Sequence, residues 1–216
     1  MATNREVFDQ IAESWYRVRH WPLLRAELDD LAARWQSGKL LNVGCAHGPD
    51  FLPFGQGFEL WGVDASVAML RQALRYSTKF KLHVNLVLGD AIMLPFCDNA
   101  FDWAISVASY HHIRGAERRR DAFAELRRVL KPGGEAFLTV WNHWQPRFWF
   151  RSKEQLVPWR LTEGTVYRYY YLFSYAELKR LLSQTGWSVI SMSPERSYRF
   201  PIREFSRNIC VLAKKR

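Results

Sequence analysis

A chain of 216 residues, 48% hydrophobic and 15% aromatic, is long enough to bury the core of one ordinary domain. No run approaches the roughly 18 apolar residues of a membrane span, the start "MATNREVFDQIAESW" lacks an apolar leader, and Cys45, Cys97 and Cys210 form no C-x-x-C pair. These features argue against a membrane protein, a disulfide scaffold and an internal metal site, and lead us to expect a soluble, cytoplasmic protein. The net charge of +10 is uneven, because residues 147–216 hold 14 Lys and Arg against 5 Asp and Glu, interleaved with Trp, Tyr and Phe. Charge plus aromatics favours a polyanion such as nucleic acid over a merely solvated surface.

Two N-terminal helices are expected within residues 1–36. Val7, Phe8, Ile11 and Trp15 recur at helical spacing. Leu24, Leu28, Leu31 and Trp35 form a second stripe after Pro22. A regular alternation then begins. "KLLNVG" reads as a buried strand ending in glycine, and "FELWGVD" as a second strand ending in Asp64. "SVAMLRQALRYS" is a helix with Ser66 as N-cap. "HVNLVLGD" and "AFDWAISVAS" are the third and fourth strands, "AERRRDAFAELRRVL" is an amphipathic helix closed by "KPGG", and "EAFLTVWN" is the fifth strand. Residues 145–172 break the rhythm and read as an aromatic, basic insertion over the active face. "SYAELKRLLSQTG" is a helix; "WSVISMS" and "RNICVLAKK" are closing strands, joined too briefly for a crossover and so antiparallel. The whole is a single α/β domain with an open, mostly parallel sheet.

In such sheets the ligand sits beyond the carboxyl ends of the strands. "NVGCAHG" there resembles a nucleotide-binding glycine loop, with Gly44 and Gly48 present and Ala46 in place of the middle glycine. A pyrophosphate needs that glycine; a ligand without phosphate does not. Asp64, 20 residues after Gly44, suits a ribose diol, and Asp90 follows the third strand.

The ordered set of "NVGCAHG", Asp64, "GDA" at 89–91, "LPFCDNAFDWAISV" and "RRVLKPGG" resembles the class I S-adenosyl-L-methionine-dependent methyltransferases. That resemblance implies a Rossmann-like fold with a seven-stranded sheet of order 3-2-1-4-5-7-6 and helices on both faces. It implies that Gly44, Cys45, Ala46 and Gly48 line the methionine and ribose. Asp64 would hold the ribose hydroxyls, with Ala65 beside the adenine. Asp90 and Ala91 would meet the adenine, and Val107 and Ala108 would close the methionine side. The family usually carries an acidic residue where Asn42 stands and a glycine where Ala46 stands.

"FDQIAESWYRVRHWP", "SVASYHHIRGAERR" and "QLVPW…VYRYYYLF" resemble the tRNA wobble-uridine methyltransferases that esterify 5-carboxymethyluridine. A carboxylate acceptor is ionised at neutral pH and needs no strong base, so orientation matters most. Arg19 is the first candidate to grip it, with His112 and Tyr110 as further catalytic candidates. Trp21, His111, Arg147, Arg168, Tyr169, Tyr170 and Arg203 are candidates for substrate and RNA contact. Arg19 could instead be a surface ion-pair residue, His111 a capped loop residue, and the Tyr cluster plain core. "HVNLVLGD", with Val84, Leu86 and Leu88 alternating, is an apolar edge strand. The resemblance implies a small zinc-binding activator protein that pairs there as a heterodimer. Rival readings are a methyltransferase of a quinone or lipid precursor and a non-catalytic RNA-binding scaffold.

Overall fold

The computed structural model describes residues 3–216. In chain order the elements are α1 (Asn4–Val18), α2 (Arg25–Trp35), β1 (Gly38–Val43), β2 (Phe58–Asp64), α3 (Val67–Phe80), β3 (Val84–Leu88) and β4 (Phe101–Val107). There follow α4 (Ala116–Val129), β5 (Leu130–Trp141), β6 (Glu154–Arg160), β7 (Thr165–Tyr171), α5 (Tyr175–Gln184), β8 (Trp187–Pro194) and β9 (Asn208–Lys215). Seven strands form one sheet of order β3-β2-β1-β4-β5-β9-β8. The first five run parallel, whereas β9 is antiparallel to both β5 and β8. With β6 and β7 set aside as a separate hairpin, this is the expected class I order.

Local chemistry fixes the helix starts. Thr3 and Glu6 form a reciprocal capping box on α1. Ser66 Oγ caps α3 by accepting the Met69 N–H at 3.0 Å. One face of the sheet packs on α4 and α5 through Phe123, Leu126, Leu178 and Leu182; the other packs on α2 through Leu28, Leu31 and Trp35. A third cluster seats α1 (Val7, Ile11, Ala12) on Met69 of α3.

Two sequence expectations change. "KPGG" does not separate helix from strand; it is an excursion inside β5, where the register jumps from Phe101↔Leu130 to Trp103↔Glu135. Residues 145–172, read as an insertion with no element assigned, contain the antiparallel hairpin β6–β7. Its strand signal was masked by Pro158 and by dense aromatics. It packs on α1, where Trp159 lies 5.1 Å from Trp15 and donates to Ser14 Oγ at 2.9 Å.

Asn42 shares a strand face with Leu40, and neither polar atom of its buried amide has a hydrogen-bond partner. A buried orphan amide costs about 1–3 kcal/mol. The near-isosteric Asn42→Leu is therefore expected to raise the unfolding free energy by about 1 kcal/mol, measured by urea denaturation. A loss of stability would show that the amide is satisfied in solution.

Candidate active site

The carboxyl ends of β1, β2 and β4 open into a cavity of about 1260 Å³, roofed by α1 and by β7. Gly44 leaves β1 at φ +72°, and a Cβ there would fall 1.9 Å from Ser109 Oγ, so only glycine fits. Ala46 also adopts a left-handed conformation, at φ +47°, which costs a non-glycine residue about 1–2 kcal/mol. Asp64 holds that turn in place. One carboxylate oxygen accepts the Ala46 N–H at 2.8 Å and the other accepts the Ser66 N–H at 2.9 Å. Burial raises the Asp64 pKa above the ordinary value, and nearby Asp9 adds to this. Asp9, on α1, accepts Ser66 Oγ–H at 2.6 Å and the Ala68 N–H at 3.1 Å, tying the roof to the floor. Ala108 bends away from β4 at φ +55°, with its N–H on Thr139 Oγ1 at 2.9 Å.

The opposite wall is aromatic and basic. His112 Nδ1 lies 2.9 Å from the Tyr169 carbonyl, so it carries the proton and leaves Nε2 as an acceptor. His111 Nδ1 accepts the Trp141 N–H at 3.2 Å, which places its proton on Nε2. Burial lowers both pKa values, His112 to about 3 and His111 well below 6.5, so both rings are neutral. His111 stacks on Tyr170 at 4.8 Å, and Trp141 lies 4.3 Å from the same ring. Arg168 donates to Tyr170 Oη at 2.9 Å. Arg19 lies over Trp15 at 4.3 Å and Arg147 over Trp141 at 4.7 Å. Among the described residues, none of these three guanidiniums has a carboxylate oxygen within 4 Å.

Comparison with known proteins shows the family of this chain. The methyltransferase domain family matches residues 41–138. A protein of Encephalitozoon cuniculi whose name calls it a methyltransferase is 33% identical over 87% of this chain and 87% of its own length. The tRNA (carboxymethyluridine(34)-5-O)-methyltransferase of Schizosaccharomyces pombe is 27% identical over 92% of this chain and 94% of its own. An S-adenosylmethionine-dependent methyltransferase structure from Clostridium acetobutylicum shares the fold, with a TM-score of 0.74 at 13% identity, covering 97% of this chain and 96% of that one. The chain belongs to the class I methyltransferases. It is an S-adenosyl-L-methionine-dependent enzyme.

The residues present fit that cofactor. Gly44, Cys45, Ala46, Asp64, Ala65, Asp90, Ala91, Val107 and Ala108 all line the cavity of this methyltransferase. The glycine-only approach at Gly44 and the fixed Asp64 carboxylate leave a cradle that a ribose and a methionine tail would fit. Gly48 does not line the cavity; at φ +88° it starts the short 3-10 turn that shapes the loop. Asp90 is exposed and weakly paired with Arg118 at 3.2 Å. The Cys45 thiol is buried, and burial pushes its pKa well up, so it is a wall and not a nucleophile.

Arg19, Trp21, His111, His112, Tyr169 and Tyr170 also line the cavity. Tyr110, expected to be catalytic, does not. It is 1% exposed, packs edge-on against Phe123 at 4.9 Å and donates to the Ala122 carbonyl at 3.2 Å, so it anchors α4 in the core. Arg168 is buried and lies outside the cavity lining, bracing Tyr170 from behind. Arg147 and Arg203 lie on the surface beyond it. Sequence reasoning missed Asn4, Asp50 and His47. Asn4 bridges α1 to the backbone of His112 and Tyr169. Asp50 lines the cavity with its pKa raised by burial to about 7, while Arg19 pulls it back. His47 Nε2 donates to the Arg19 carbonyl, joining the cofactor loop to the end of α1. The unusual histidine inside a glycine loop was the one signal available.

These titrations predict an acid response. His47 (about 4), His111 and His112 resist protonation in the fold, whereas free histidines titrate near 6.5. The unfolded chain therefore binds extra protons as pH falls below 6.5, and stability is lost between about pH 6.5 and 4. Asp50 opposes this, being protonated in the fold below about pH 7 and in the unfolded chain only below about 3.8. Asp64, its pKa also raised by burial, opposes it in the same sense; three histidines outweigh the two carboxyls, so the melting temperature should drop across that window. A flat profile would contradict the neutral histidine assignment.

Proposed function

We propose that this methyltransferase esterifies a carboxylate, and that its acceptor is the carboxymethyl group on the wobble uridine of tRNA. The observation that carries this reading is Arg19, which lines the cavity over Trp15 without a carboxylate oxygen within 4 Å among the described residues, while Arg168 adds positive charge from behind Tyr170. Burial lowers both guanidinium pKa values, which reflects positive charge held where water is scarce. An anionic acceptor would satisfy that charge; a neutral quinone or lipid precursor would leave it unpaired. The name of the S. pombe relative, which matches almost end to end, supports the same substrate.

The bound cofactor supplies an electrophilic methyl on a sulfonium. Arg19 grips the acceptor carboxylate and fixes its approach, and α1 with the β6–β7 hairpin excludes water. No side chain has to remove a proton, because the acceptor is already ionised. Neutral His112 offers Nε2 to an N–H of the base, and the stacked His111 and Tyr170 rings give a flat surface for it. Arg147 and Arg203 lie outward of this wall, suited to phosphates.

β3 ends the sheet, paired only with β2, and Leu88 on it is half exposed. We assign this edge to a small zinc-binding activator protein that adds a strand there, making the working enzyme a heterodimer. Co-expression should raise soluble yield and activity, and a Pro at Leu86 should abolish pairing; a fully active monomer would overturn the assignment.

Arg19→Ala should lower kcat/KM on carboxymethyluridine tRNA about 10–100-fold, the worth of a charged hydrogen bond. The check is mass spectrometry of tRNA nucleosides, with cofactor affinity measured by calorimetry. Transfer to a lipid extract and none to tRNA would favour the small-molecule reading. Ionised Asp50 competes for Arg19 above about pH 7, so Asp50→Asn should remove an alkaline rise in KM. An unchanged pH profile of KM would remove Asp50 from this role.

A further inference from the structure

Two surface loops, 142–151 and 195–207, are fastened together by buried amides. Asn142 Nδ2 donates to the carbonyls of Glu204 and Ser206, at 2.6 and 3.0 Å, and the Asn142 N–H reaches the Arg207 carbonyl at 2.9 Å. Gln145 Nε2 donates to the Asn142 carbonyl at 2.8 Å. The fastening fixes three aromatic rings on the outside. Trp149 lies 5.3 Å from Phe205, and Phe205 lies 6.2 Å from Phe200. Trp149 is 43% exposed and Phe200 56%. Large rings left in water at this level mark a contact surface when they form a row.

The row is continuous with the active site. Tyr170, in the cavity wall, touches Trp141; Arg147 lies over both Trp141 and Phe148; and Trp149 follows. Arg207 is near enough to Arg147 to help lower its pKa, after burial, which is the larger cause. Neither arginine has a carboxylate partner among the described residues. Trp141 and Phe148, which lead along the chain to Trp149, thus carry the Arg147 guanidinium over their faces. Protein interfaces also enrich aromatics and arginine, but residues 147–216 as a whole hold 14 Lys and Arg against 5 Asp and Glu, an excess that complements a polyanion. Rings interleaved with cations are what a single nucleic-acid strand needs, since bases stack on rings and phosphates pair with arginines.

We infer that the Trp149–Phe205–Phe200 row, with Arg147 on the chain between it and the cavity wall and Arg207 on the loop fastened to Asn142, is a stacking platform for the unpaired nucleotides next to the modified base. The inference rests on the tRNA reading above and adds to it the path of the strand. The loop leaves the cavity past Tyr170 and runs over Trp149 toward Phe200, so unpaired nucleotides are held and duplex is not.

The test uses the full chain, with any protein that copurifies, and two probes: a fluorescent ten-nucleotide oligouridylate and a duplex of equal charge. Trp149→Ala with Phe200→Ala should weaken oligouridylate binding at least about tenfold, as expected for lost stacking, and leave duplex binding unchanged. Arg147→Ala with Arg207→Ala should flatten the salt dependence, by about 0.7 per lost phosphate contact. Unchanged cofactor affinity by calorimetry certifies that each variant is folded. If the parent chain binds oligouridylate and the aromatic variant binds it equally well, the platform is overturned and the face belongs to a protein partner. Equal losses on both probes overturn the single-strand claim. A parent chain with no affinity for either probe and no methyl transfer to tRNA overturns the substrate reading along with the platform.

Discussion

One carboxylate organises the glycine-loop half of the cavity in this enzyme. Asp64 ends β2, accepts the amide of a strained Ala46 with one oxygen, and accepts the amide of Ser66 with the other. It therefore sets the loop after β1 and the first turn of α3 relative to each other. Asp9 and Ser66 extend the same network to α1, so the roof depends on it too. Because the group is buried, its hydrogen bonds act in a medium where losing one is expensive. Ala46 keeps a conformation that glycine would adopt freely only because this network over-determines it.

The opposite wall is built on the contrary principle. There the guanidinium groups have no carboxylate partner among the described residues. Arg19, Arg168 and Arg147 stack on Trp15, Tyr170 and Trp141, which shields the cations without neutralising them. The two histidines are held neutral and in opposite tautomers by backbone groups, one leaving an acceptor and the other a donor. Such a wall is suited to hold an anion and a planar base, while contributing no competing nucleophile. His47 connects the halves, since it sits in the cofactor loop and holds the carbonyl of Arg19.

Much of the fold was legible along the chain. Strand and helix periods alternate cleanly from residue 38 to residue 141, and parallel strands leave few ways to arrange them. Gly44, Asp64 and Ala108 were legible as residues of the cavity wall because each stands at or directly after a strand end, and strand ends of a parallel sheet meet at one edge. The β6–β7 hairpin was not legible, because Pro158 interrupts β6 and the last four residues of β7 are all buried, which leaves no alternation to read. Tyr110 misled for a related reason. It sits beside two cavity histidines in sequence, but a short 3-10 turn points it the other way, into α4.

The sequence by itself determined the class of fold, the cofactor loop and the concentration of positive charge in the last third of the chain. Those are local or compositional properties, set by residues within one strand and its following turn. Only the tertiary structure decided which of many arginines face Tyr170, which histidine nitrogen carries its proton, and that Asp50 and Asn4 belong to the site. These depend on contacts between residues as far apart as Asn4 and Tyr169, and no spacing rule carries a side chain across that distance.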